Sequence, residues 1–124
     1  MGMDLRDLLA RTAAGAPGVK AISLLGFDGI AVETLVAGAG DGAPEDTVVW
    51  ELELADLMKA ARRVTHRLGW APASDIVLEA GDLTLLARPV SADYFLMLVL
   101  DSAANVTRAG YELRQAAALL ADTP

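Results

Sequence analysis

Cysteine is absent from this sequence of 124 residues, histidine occurs once, and aromatic side chains make up only 5% of it. Without cysteine there is no disulfide framework and no thiolate metal site. A single histidine leaves too few imidazole ligands for the usual zinc centres. Basic charge is also scarce: ten Lys and Arg stand against seventeen Asp and Glu, a net charge of −7. So acidic a chain is a poor match to the phosphates of nucleic acid or to an anionic membrane surface. Long apolar runs are missing too. The longest, Tyr94 to Leu100, falls far short of the roughly 20 residues that span a bilayer. The opening Met1-Gly2-Met3-Asp4 is acidic where a signal peptide is basic, and Arg6 stands where a myristoylation signal carries Ser or Thr. The expectation is a cytoplasmic protein that neither enters membranes nor binds nucleic acid.

What the sequence does have is aliphatic mass. The hydrophobic fraction is 54%, against a usual value of about 45–50% that also counts glycine. The excess lies in Ala, Leu and Val. The length fits one domain over residues 1–124, able to bury roughly two-thirds of the surface of its unfolded chain. A chain this apolar either folds compactly or covers part of its surface with a partner.

Periodicity orders the elements. Leu5, Leu8, Leu9 and Thr12 share a helical face that ends at Gly15 and Pro17-Gly18. Val19 to Leu25 is apolar on both faces, as in a strand covered from two sides. Asp28-Gly29 then signals a hairpin into a second strand, Ile30 to Val36. From Glu45 to Leu68 runs the clearest helix, with Trp50, Leu54, Leu57, Ala61, Val64 and Leu68 as one apolar stripe. Its acids come first and its bases last, complementing the helix dipole, and Gly69 stops it. Asp75 to Ala80, Leu83 to Arg88 and Tyr94 to Leu100 read as three further strands. Asn105 caps a last helix whose face carries Val106, Gly110, Leu113, Ala117 and Leu120. Gly110 on that face implies close approach of helix and sheet. The fold class is therefore α+β, in the order α-β-β-α-β-β-β-α, with a five-stranded, mostly antiparallel sheet and helices on both faces.

Chemistry-bearing patterns are few. Gly38, Gly40 and Ala43 match a dinucleotide-binding spacing, but Asp41, Glu45 and Asp46 would face the phosphates, Pro44 removes an amide donor, and the preceding strand belongs to a hairpin. A flexible connection is the better reading. His66 has no carboxylate four residues away and reads as a solvent-facing or interface residue. Glu51 and Glu53 point about 200° apart on a helix and read as solvation of its first half. No nucleophile–base pair, metal cluster or phosphate loop is present, so no catalytic residue and no cofactor is assigned. Two features point to binding instead. Lys59, Arg62, Arg63 and Arg67 concentrate basic charge on an acidic chain and could dock an acidic patch. Asp75 to Ala80, with its apolar centre Ile76-Val77-Leu78, needs a partner or a cover if it is an edge strand.

In their order and spacing, several of these residues resemble the roadblock/LC7 family. They are the Asp28-Gly29 hairpin, the long helix from Glu45 to Leu68, the buried strand from Tyr94 to Leu100, the lead-in Asp101-Ser102-Ala103-Ala104-Asn105-Val106, and Leu113-Arg114-Gln115-Ala116-Ala117 in the last helix. The resemblance covers about Leu5 to Leu120. It implies a profilin-like architecture and a homodimer built through the central helix and the third strand, the two sheets joining into one. Carried onto this sequence, it places Trp50, Leu54, Leu57, Met58, Ala61, Asp75, Ile76, Val77, Leu78 and Glu79 at the dimer interface. The chain also resembles bacterial stand-alone members of the gliding-regulator (MglB) type. These bind small Ras-like GTPases and speed GTP hydrolysis without lending a catalytic arginine. That implies a non-enzymatic regulator or scaffold, with Lys59, Arg62, Arg63 and Arg67 as candidate GTPase contacts. The alternative is a small-molecule-sensing or scaffold domain with no GTPase partner.

Overall fold

The computed structural model describes residues 4–37, 45–101 and 103–122, and the side chains of residues 45 and 46 are outside that description. The phosphate-loop spacing at Gly38, Gly40 and Ala43 lies outside the described residues. In chain order the elements are α1 (Leu5–Ala14), β1 (Val19–Gly26), β2 (Ala31–Val36), α2 (Glu45–Arg67), β3 (Ile76–Ala80), β4 (Leu83–Pro89), β5 (Tyr94–Asp101) and α3 (Val106–Ala121). The expected order holds, with strand ends shifted by a residue or so, as helix and strand termini commonly are.

The five strands form one sheet in the order β2-β1-β5-β4-β3. Every neighbouring pair is antiparallel, so the sheet is wholly rather than mostly so. The chain's turn residues explain the hairpins. Gly29 adopts φ 88° and Gly81 φ 58°, backbone that L side chains rarely take. The Asp28 carboxylate accepts from the Ile30 amide at 3.0 Å and fixes the first turn. β5 is central and buried on both faces, which is why its sequence shows no alternation.

Each face of the sheet has its own core. Ile22, Leu24, Leu86, Leu96, Leu98 and Leu100 pack against Leu9 of α1 and Ala109, Leu113, Ala116 and Ala117 of α3. On the other face Ala21, Leu25, Ala87, Phe95, Met97 and Val99 pack against Leu54, Ala55 and Met58 of α2. Capping sets where α3 begins: Asn105 Oδ1 accepts from the Arg108 amide at 3.0 Å. The preceding Asp101 side chain accepts from the Ala103 amide at 3.2 Å, so the acid and the amide of the lead-in shape consecutive turns. α2 ends where Gly69 takes φ 70° and Trp70 donates back to the Thr65 carbonyl at 2.9 Å.

Two expectations are corrected. Gly110 does not mark close helix–sheet packing. Among the described residues a Cβ built there meets only the Arg114 guanidinium, at 3.3 Å, and a cleft opens beside it. Glu51 does not solvate the helix. It is 5% exposed and turned inward.

Candidate interaction surface

The apolar stripe of α2 and the face that α2 buries are not the same. Thr47, Glu51, Leu54, Ala55 and Met58 recur at intervals of three and four and face the sheet. Trp50, Leu57, Ala61 and Val64 lie one position away, rotated toward the β3 side, and remain partly or fully open to solvent. Only Leu54 belongs to both sets.

Beside that flank lies β3, the edge of the sheet. One side of β3 pairs with β4, and no strand of this chain pairs with the other among the described residues. Its side chains alternate. Ile76 and Leu78 oppose Ala87 and Leu85 on the α2 face, while Val77 and Glu79 oppose Leu86 and Thr84 on the α1/α3 face. Leu78 is 43% exposed. Together with Val49, Trp50, Glu53 and Leu57 it lines a groove of about 310 Å³ between helix and edge strand, floored by Leu54 and Leu85.

The ten interface candidates are thus sorted by the fold. Trp50, Leu57 and Leu78 converge on this groove, with Ala61 and Ile76 half-buried on the same side. Val77 and Glu79 are exposed at the edge but face the opposite side of the sheet. Asp75 is tied to Arg88 by an ion pair of 2.8 Å. Leu54 and Met58, at 3% and 1% exposure, fill the subunit's own core.

The basic group also divides. The Arg62 guanidinium carbon sits 4.0 Å from the centroid of the Phe27 ring, and its Nη1 donates to the Ala92 carbonyl at 2.9 Å. It is a strut between α2 and the loop before β5. Lys59 pairs with Asp56 one turn back at 3.3 Å, a weak exposed contact. Arg63 and Arg67 are exposed and have no ion pair or hydrogen bond among the described residues. With His66 and exposed Trp70 they give the C-terminal end of α2 a basic and aromatic character.

The sequence reading missed a buried polar cluster. The Ser23 and Thr34 hydroxyls, from paired positions on β1 and β2, both approach Glu51 Oε2, at 2.8 and 2.5 Å. They lie 3.0 Å from each other. One helix carboxylate therefore ties α2 to the β1–β2 hairpin. Its signal was the phase of Glu51 with Leu54, Ala55 and Met58, and a lone Ser in an otherwise apolar strand. One turn before, the buried Thr47 hydroxyl has no hydrogen-bond partner among the described residues. Also among the described residues, no group of three His, Cys, Asp or Glu can hold a metal ion. No helix among them is long and apolar enough to cross a membrane.

No protein-family model and no curated protein matches this sequence. Solved structures do. The gliding protein MglB from Thermus thermophilus superposes with a TM-score of 0.81 at 19% identity, over 94% of this chain and 84% of that one. A roadblock/LC7 domain from Streptomyces avermitilis gives 0.80 at 18%, over 93% and 92%. MglC from Myxococcus xanthus gives 0.68 at 28%, over 96% and 98%. The chain has the fold of roadblock/LC7 domains, as the sequence motifs implied.

Proposed function

We propose that this chain is a single roadblock/LC7-type domain over residues 1–124 that works as a cytoplasmic homodimer, and that the dimer binds a small Ras-like GTPase to regulate or tether it. The observation that carries the reading is the apolar groove between α2 and the unpaired edge of β3. A second copy related by a two-fold axis would pair its own β3 with this edge and lay its α2 beside this one. Trp50, Leu57 and Leu78 then leave water together, and Ala61 gives the helices room to approach. Val77 and Glu79 serve the seam through their backbone groups, and Leu54 and Met58 support it from within.

Two adjacent α2 helices would present four exposed arginines, Arg63 and Arg67 from each copy, on one surface of an otherwise acidic protein. That charge suits an acidic patch on a partner. The GTPase identity rests on the resemblance to MglB-type proteins, and no residue of this chain is assigned a catalytic role.

Light scattering after gel filtration tests the first step. The wild type should run as a dimer at micromolar concentration, and Leu78→Asp should run as a folded monomer. A wild type that stays monomeric overturns the reading. Pull-down against small GTPases tests the second step. Reversing Arg63 and Arg67 to Glu should weaken capture while leaving the dimer intact; capture of equal strength removes this surface from the account.

A further inference from the structure

The face opposite α2 carries a separate cavity. It lies between α3 and the β3–β4 edge and holds about 240 Å³. Liquid water occupies about 30 Å³ per molecule, so the space fits a ligand of roughly eight non-hydrogen atoms, with a mouth open to more. Its walls are mostly aliphatic: Val77, Leu86, Val106 and Leu113. Polar groups are few and sit at the rim.

Two features of α3 shape the cavity. Gly110 interrupts a helix rich in Ala, Leu and Arg, and the only neighbour among the described residues that a Cβ there would meet is the end of Arg114. Glycine at such a position costs about 1 kcal/mol relative to alanine. Neither a positive φ nor backbone crowding accounts for it, but the absence of a side chain keeps the cleft open. Arg114, one turn later, lines the same cleft and has no ion pair or hydrogen bond among the described residues. The acid on the rim, Asp75, is already neutralised by Arg88 at 2.8 Å. The unmatched charge at the cleft is therefore the Arg114 guanidinium.

We propose that this cleft binds a small amphiphilic carboxylate, its aliphatic tail against Val77, Leu86 and Leu113 and its head on Arg114. A guanidinium at the rim of an apolar slot matches that class by charge and by geometry: a planar fork outside, a desolvated floor inside. Val77 lies on β3, so the ligand touches the edge strand from the face that α2 does not cover. The proposal stands independently of self-association.

Octanoate is the probe and octanol its neutral match, titrated into the full-length ¹⁵N-labelled chain below the micelle limit. Octanoate should move the amide signals of Gly110, Arg114 and Val77 and should bind about tenfold more tightly than octanol, the worth of one charge-assisted contact. Arg114→Gln should bring octanoate down to the octanol level. Gly110→Leu should abolish binding of both while the helix signal in circular dichroism is kept, since leucine is the better helix former. Absence of binding, shifts centred on the Trp50–Leu78 groove, equal affinity for the two probes, or a Gly110→Leu variant that still binds would each overturn the assignment.

Discussion

The two faces of the sheet are covered unequally. Two helices, α1 and α3, lie over one face, and one helix, α2, lies over the other. Five strands about 4.8 Å apart present a surface roughly 20 Å wide, and a helix with its side chains is about 10–12 Å across. Two helices can cover that width and one cannot. The seam between α1 and α3 is also closed chemically. Arg108 donates to the Gly15 carbonyl at 3.0 Å and pairs with Glu112 at 2.9 Å, so one side chain joins the end of α1 to α3. No such closure flanks α2 on its β3 side among the described residues. Trp50, Leu57 and Leu78 stay open there, and Val48 and Leu52 of α2, Ile30 just before β2 and Val32 within it are exposed elsewhere. A helix apolar on more than its buried face expects further cover. On one face the two helices are tied to each other; on the other a single helix leaves an apolar flank uncovered.

The largest effect that separates the faces is a pair of truncations. Leu9→Ala, in the two-helix core, should cost about 2–5 kcal/mol of unfolding free energy. Leu78→Ala, in the open groove, should change the stability of the monomer by less than about 0.5 kcal/mol. The groove variant should instead make the denaturation midpoint of a self-associating chain less dependent on protein concentration. Urea melts of both variants at two concentrations, set beside the wild type, check this. A Leu78→Ala loss as large as that of Leu9→Ala, independent of concentration, would mean that the groove is core.

The asymmetry was only partly legible in the sequence. The order of the elements along the chain, the hairpin at Asp28-Gly29 and the Asn105 cap follow from local chemistry, and local chemistry survives folding. The phase of α2 did not. Trp50, Leu57 and Val64 are as apolar as any core face, and a periodicity argument cannot tell a stripe buried by the subunit's own sheet from one left for another surface. The face in contact with the sheet instead contains Thr47 and Glu51, whose polarity hid it. Likewise Arg62 looked like one of four equivalent surface bases, and only the proximity of Phe27 and the Ala92 carbonyl, far away in sequence, makes it structural. Contacts of that kind are set by topology, and no local pattern encodes them.

A smaller effect probes what fastens the single helix. Glu51→Ala takes the carboxylate acceptor from the buried Ser23 hydroxyl and the half-buried Thr34 hydroxyl and leaves them only each other, a loss of about 1–3 kcal/mol. Glu51→Gln keeps an acceptor oxygen at that site and should lose less. Hydrogen exchange should localise the damage: amides of α2 and of the β1–β2 hairpin should lose protection, and those of α3 should not. Uniform loss across both faces would show that α2 is held mainly by Leu54 and Met58, with the polar cluster a minor fastening.

The smallest effect bears on the better-covered face and has the opposite sign. Close packing of α3 on the sheet, as the position of Gly110 in the sequence suggests, would make Gly110→Ala destabilising through collision. The structure places the Arg114 guanidinium alone near the new methyl group, at 3.3 Å, and the far end of a flexible side chain can yield. Removing glycine from a helix interior should then raise stability by about 0.5–1 kcal/mol. Thermal or urea unfolding of this one variant decides between the two. A gain would show that even the face with two helices keeps an opening by choice of residue, and a loss would show that α3 sits closer to β3 and β4 than the cleft allows.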